Sequence, residues 1–148
     1  MNGSETMSYV RSEIASSYIV KLLYGGDLLN SIRKAVKKMG IHAASFTAIG
    51  AVKKAKVSYY DQTEKKYNEL VFEEPMEIVS CIGNITEMKG DTIVHAHLVL
   101  SDEKGRAFGG HLLEGTELFA CELMINEYKS LKISRKYHKR TGLNLIDI

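Results

Sequence analysis

His95, His97 and His111 fall within one short stretch of the chain, and imidazoles are the commonest metal ligands and proton carriers among side chains. Whether these three can act together depends on how residues 93–113 fold. Ile93-Val94-His95-Ala96-His97-Leu98-Val99-Leu100 is β-branched and apolar, Asp102 to Gly105 has turn composition, and Arg106 to Leu113 resumes an apolar run. The pattern predicts a β-hairpin. A three-residue loop, Glu103-Lys104-Gly105, with Gly105 in the left-handed conformation, pairs Asp102 with Arg106. Counting back from that turn sets His97 opposite His111, and the two-residue period of a strand puts His95 on the same face as His97. Opposed Cβ atoms lie roughly 4.5–5.5 Å apart, close enough for three ring nitrogens to meet one ion at about 2.0–2.1 Å. A four-residue loop would turn His111 to the other face.

A single histidine in a strand is ordinarily a core or surface residue with one satisfied hydrogen bond. Three on one face, beside the small residues Gly109 and Gly110, point instead to metal binding or catalysis. Three protein nitrogens with no evident fourth ligand describe an open site that leaves a position for water or substrate. Ligand type favours zinc, Zn2+, among the divalent ions. Water at the open position of such an ion has a lowered pKa, which suits hydrolysis or hydration, with Glu114 as the candidate catalytic base. Glu117 is also near in sequence. Strand counting, however, puts Leu113 rather than Glu114 on the histidine face, unless a bulge at Gly115 intervenes.

With 148 residues, 45% hydrophobic and 26% charged, the chain reads as a single domain, 1–148, large enough to bury its own core. The expected core runs from 17 to 128, after a polar leader at 1–8 and before a basic tail at 129–148. No stretch approaches the 18 or so apolar residues of a membrane span, and Met1 to Met7 lacks the basic-then-apolar pattern of a signal peptide, so a cytoplasmic location is expected. Cys81 and Cys121 each lie in an apolar run without a CxxC partner and are expected as small buried hydrophobes. The net charge of +2, from 20 basic and 18 acidic residues, does not demand a polyanionic partner. Basic clusters at 33–38 and 53–56, and Lys132, Arg135, Lys136, Lys139 and Arg140 in the tail, could still form a phosphate-facing, nucleic-acid-binding patch. Charge runs of this kind are most often solvated faces.

The elements that must position the histidines follow from periodicity. Ser17 to Tyr24 reads as a strand broken by Gly25-Gly26, and Asp27 then caps a helix whose apolar stripe is Leu28, Leu29, Ile32, Ala35, Val36 and Met39, stopped by Gly40. Ala43 to Ala48 reads as a strand, Ile49-Gly50-Ala51 as a bend, and Ala55 to Tyr60 with Lys65 to Glu73 as a hairpin. Met76 to Ile82 reads as a strand that Gly83-Asn84 interrupts or bulges before it continues through Met88, and Leu118 to Asn126 as another. The fold class is thus α/β in the α+β sense: a mostly antiparallel sheet of about seven strands with one main amphipathic helix. One helix cannot cover both faces of such a sheet, which points to a symmetric oligomer.

Tyr59-Tyr60-Asp61, Glu77 to Ile85, the His95/His97 pair and Gly109-Gly110-His111-Leu112, in this order, resemble the plants-and-prokaryotes-conserved (PPC) domain, long called a domain of unknown function. The segments 26–39 and 46–52 match as well. The resemblance implies an antiparallel sheet with one main helix and a homotrimer. In plant members the domain follows an AT-hook with an Arg-Gly-Arg-Pro core that enters the DNA minor groove, and this sequence contains no such core. The histidines at 95, 97 and 111 match a pattern of prokaryotic members. Three functions stand open on this reading: a trimeric zinc-binding protein, with or without hydrolase or lyase chemistry on a small molecule; a DNA-associated scaffold using basic patches; and an assembly module.

Overall fold

Asp27 begins the one helix among the described residues, as the sequence predicts: its side chain accepts from the Asn30 backbone N–H at 2.8 Å, satisfying a donor that the first turn leaves free. Helix α1 (Leu28–Met39) ends at Gly40, whose φ of 69° admits the left-handed cap, with Lys37 and Lys38 in the last turn. Leu28, Leu29, Ile32 and Val36 form its buried stripe. Each such side chain contributes about 1.5–3 kcal/mol on burial. The computed structural model describes residues 7–148; most of the expected polar leader, residues 1–6, lies outside the described residues.

The remaining elements are strands: β1 (Ile14–Leu22), β2 (Ala44–Asp61), β3 (Lys66–Phe72), β4 (Met76–Met88), β5 (Asp91–Ser101), β6 (Ala107–Leu112), β7 (Glu117–Tyr128), β8 (Ser134–His138) and β9 (Leu143–Asp147). They form one sheet in the order β1-β7-β2-β6-β5-β4-β8-β9, with β3 on β2. A further pairing of β2 with β4 closes β2, β6, β5 and β4 into a ring. Every pairing is antiparallel except the contact of β8 with β4. No helix among the described residues is long and apolar enough to cross a membrane.

The sheet has nine strands rather than about seven because the basic tail folds into its own hairpin, β8–β9, and joins β4. The expected bend at Gly50 is also absorbed. There β2 shifts register against β4 between Ala48 and Gly50 yet remains one strand of 18 residues, held by β7 along one edge and β4 along the other. Likewise β4 runs unbroken through Gly83, and its register shift falls between Ile78 and Ser80.

Strand alternation decides which side chains meet water. Along β5, Val94, Ala96, Leu98 and Leu100 are buried with the helix stripe, Phe46, Leu112 and Leu123, while His95, His97 and Val99 point the other way. Cys81 and Cys121 are free thiols in the same core, and burial pushes them up to about 12 and about 11. The face away from the core keeps apolar side chains exposed, including Ile82 at 61% and Val79 at 54%.

Candidate metal centre

The centre begins with a turn. Gly105 takes φ of 74°, its N–H reaches the Asp102 carbonyl at 3.0 Å, and the Asp102 N–H reaches the Arg106 carbonyl at 3.1 Å. Asp102 fastens this loop with its side chain. One carboxylate oxygen accepts from the backbone N–H groups of Lys104 and Arg106, both at 2.9 Å, and the other from Arg106 Nε at 2.6 Å. Burial alone would raise this carboxyl, but the hydrogen bonds from Arg106 and Lys104 outweigh it and hold the group below the usual carboxylate range. With the loop fixed at three residues, His97 pairs directly with His111, as the turn arithmetic requires. Strand β6 lies flush on β5 because Gly109 carries no side chain: a Cβ there would sit 2.4 Å from the Leu98 carbonyl oxygen.

The three imidazoles form a compact triangle. Their ring centroids are 5.3 Å apart for His95–His97, 5.0 Å for His95–His111 and 5.6 Å for His97–His111, and one nitrogen from each lies within 4.8 Å of the other two. Nitrogens around a four-coordinate zinc are about 3.3 Å apart, so modest side-chain rotation draws them onto an ion. Protonation suits the role too. Burial, the charge of Arg135 and the neighbouring histidines push His95 down to about 4, and burial followed by His97 and Arg135 lowers His111. Both rings therefore offer lone pairs at neutral pH. His111 Nδ1 is buried with no hydrogen-bond partner, an orphaned polar atom of the kind that a ligand or ion satisfies. The residues present fit a divalent ion held by nitrogen ligands.

The other predicted residues lie elsewhere. Glu114 is bound to Arg33 of α1 at 2.9 Å, which holds its carboxyl below the usual range, and it does not border the cavity beside His95 and His111. Glu117 pairs with Lys53. Lys132, Lys136, Lys139 and Arg140 are exposed on the tail, in keeping with a solvated basic face. Arg135, the fifth residue of that expected patch, is only half-exposed. Its guanidinium turns inward: Nε donates to Thr86 Oγ1 at 2.8 Å, Nη2 to Asn84 Oδ1 at 2.8 Å, and Nη1 to the Asn144 carbonyl at 2.9 Å. Nη2 also lies 3.3 Å from His95 Nδ1. Tyr67 of β3 completes the surround, its ring 5.2 Å from that of His111.

Residues 9–129 match the model of the Plants and Prokaryotes Conserved (PCC) domain, another abbreviation of the PPC family. The chain belongs to this family. Solved structures of PPC-like proteins agree in fold. A metal-containing protein of Archaeoglobus fulgidus is 35% identical, with a TM-score of 0.90 over 96% of this chain and 100% of that one. A PPC protein of Pyrococcus horikoshii is 35% identical, with a TM-score of 0.89 over 96% of this chain and 98% of that one. A candidate DNA-binding protein of Bacteroides thetaiotaomicron is 30% identical, with a TM-score of 0.84 over 91% and 94% of the two chains. Among curated proteins, the bifunctional protein GlmU of a Synechococcus species is 28% identical over 84% of this chain, but the match spans only 19% of that relative's length. The tail hairpin that carries Arg135 lies beyond the family match.

Proposed function

We propose that this PPC protein binds one divalent metal ion through His95, His97 and His111, zinc by ligand type, and that it works as a homotrimer. One observation carries the metal reading: three imidazoles, two with depressed pKa values, lie with a nitrogen from each inside 4.8 Å. The metal-containing Archaeoglobus relative supports it. Three nitrogen ligands leave a position open, and the chemistry the ion supplies there is polarisation of a bound oxygen or activation of water. The trimer reading rests on exposed apolar side chains such as Ile82 and Val79 on the face away from the helix, which a closed symmetric assembly would cover. Free thiols fit a reducing compartment, the cytoplasm.

Metal analysis of untagged protein tests the centre. Near-stoichiometric zinc in the parent, lost in His97→Ala with the fold retained by circular dichroism, is the expected result. No metal in the parent overturns it.

A second reading, DNA binding through the tail, draws on the candidate DNA-binding relative and on exposed Lys132, Lys136, Lys139 and Arg140. Backbone neutralisation by such residues predicts retention on DNA that falls steeply with salt and persists when all three histidines are replaced. Absence of retention at low salt removes this reading.

A further inference from the structure

The cavity beside the triad is unbalanced in charge. It measures about 270 Å³ and is bordered by His95 and His111, by Tyr67, and by apolar side chains of β5 and β9. Among the described residues, Arg135 is the one permanently charged residue that lines it, and no Asp or Glu does. All four of the guanidinium's partners are neutral: Thr86, Asn84, the Asn144 carbonyl and His95. Arg135 makes no salt bridge among the described residues. Glu114 is committed to Arg33 and Glu87 to His42 at 2.6 Å, and Asp147, which faces Ser134 on β9, is exposed and forms no ion pair with Arg135. A partly buried cation without a counter-ion is costly, and such sites are normally completed by an anion.

The contact with His95 sharpens the point. A guanidinium has donors only, so His95 Nδ1 facing it must accept, and in the neutral ring the proton then sits on Nε2. A metal ion at this ring needs a lone pair. It either takes Nδ1 and displaces the Arg135 N–H, or takes Nε2 and moves the ring proton to Nδ1, where it opposes that N–H. In both cases a guanidinium donor is freed beside a second positive charge.

We propose that Arg135 and the three-histidine centre together form the binding site for a small carboxylate, with one carboxylate oxygen at the open metal position and the other on the Arg135 guanidinium. The proposal rests on the metal reading above and gives its ligand a chemical class. A guanidinium N–H donates a strong, charge-assisted hydrogen bond to a carboxylate oxygen, leaving the second oxygen for the ion. The short apolar part of the acid packs against Ile93, Leu143 and Leu145, which border the cavity. A volume of about 270 Å³ lies just below the ~300 Å³ at which pockets for drug-sized ligands begin, so the acid is short. Inorganic phosphate could use the same two cations but not the apolar wall.

Cobalt(II)-substituted protein tests this, because the visible spectrum of the ion reports each ligand change directly. The parent, Arg135→Gln and Arg135→Lys are loaded with cobalt, checked by circular dichroism, and titrated with propionate, propionamide and inorganic phosphate. With each protein brought to saturation with cobalt, a saturable spectral change with propionate is expected in the parent. Affinity should fall about tenfold or more in Arg135→Gln and recover in part in Arg135→Lys, and propionamide should give no change. Equal propionate affinity in Arg135→Gln overturns the proposal. So does a lack of any propionate response in loaded parent, or tighter binding of phosphate than of propionate. Failure of the parent to give a cobalt spectrum overturns the metal centre itself, and is seen before any acid is added.

Discussion

Two hairpins meet at the triad, and they are held in opposite ways. The β5–β6 hairpin is paired along β4 from Met88–Asp91 to Glu77–Ser101, joined to β2 at Ser58–His111, and locked at its turn by the Asp102 carboxylate. The β8–β9 hairpin touches the sheet at one pair, Glu87–Ser134, with the Glu87 N–H donating to the Ile133 carbonyl at 2.8 Å, and is further tied by the Arg135 side chain, by buried Ile133, by Lys65 Nζ donating to the Lys139 carbonyl at 3.3 Å and by Tyr60 Oη donating to the Thr141 carbonyl at 2.7 Å. The first hairpin supplies the three proposed metal ligands, which would tolerate little displacement. The second supplies a charge at the end of a long side chain, which can adjust. On the proposed reading, rigid backbone pairing falls where coordination geometry matters and side-chain tethering where a ligand must be admitted.

The largest effect that distinguishes them is steric. Gly109→Val places a Cβ 2.4 Å from the Leu98 carbonyl oxygen, a backbone atom that cannot move without opening the β5–β6 ladder. We expect a loss of about 3 kcal/mol or more in urea unfolding, together with loss of metal binding. Gly142→Ala in the tail hairpin meets Tyr60 Oη at 2.7 Å and needs a φ of 76°, but the obstructing atom ends a side chain that can swing away. Its expected cost is about 1 kcal/mol, with metal uptake intact. Equal losses in the two variants would show that the hairpins are equally anchored.

A pH series gives the next effect. His95 stays neutral in the folded, metal-free protein down to about 4, whereas in the unfolded chain it takes a proton near 6.5. Between these values the unfolded state binds more protons, so stability is full above about 6.5 and declines as pH falls toward 4. The lowered His111 adds in the same direction. Urea midpoints of chelator-treated protein at pH 7, 5.5 and 4.5 should fall progressively, and the fall should shrink in His95→Gln. A flat profile, or one unchanged by the substitution, contradicts the burial of these rings.

How much of this was legible in the sequence divides along the same boundary. The helix was readable because Asp27, the stripe from Leu28 to Met39 and Gly40 are local signals of cap, period and stop. The triad was readable because Gly105 fixes a turn whose register then carries His97 to His111 over a few residues. Arg135 was not. It meets Asn84 and Thr86 across some fifty residues of chain through a lone parallel contact, which no turn residue announces, and in sequence it looks like one more member of a basic run. The bend read at Gly50 failed for a related reason: pairing to β7 and β4 on both edges holds β2 extended where local composition argues for a break.

The smallest effect concerns motion rather than stability. If the tail hairpin is tethered by side chains, removing one tether should loosen it without unfolding the sheet. Tyr60→Phe deletes the hydroxyl that donates to the Thr141 carbonyl while leaving the ring on Tyr67, whose centroid is 4.9 Å away. The urea midpoint should hardly move. Amide hydrogen exchange should nevertheless quicken across Ser134–His138 and Leu143–Asp147 and stay unchanged across Asp91–Ser101, because local opening follows the bonds that hold each unit rather than the global free energy. In the parent protein the β8–β9 amides should already exchange faster than those of β5. Uniform protection across both hairpins would place Arg135 on a frame as fixed as the histidines, and the adjustable half of the site would have to be sought in rotation of the imidazoles instead.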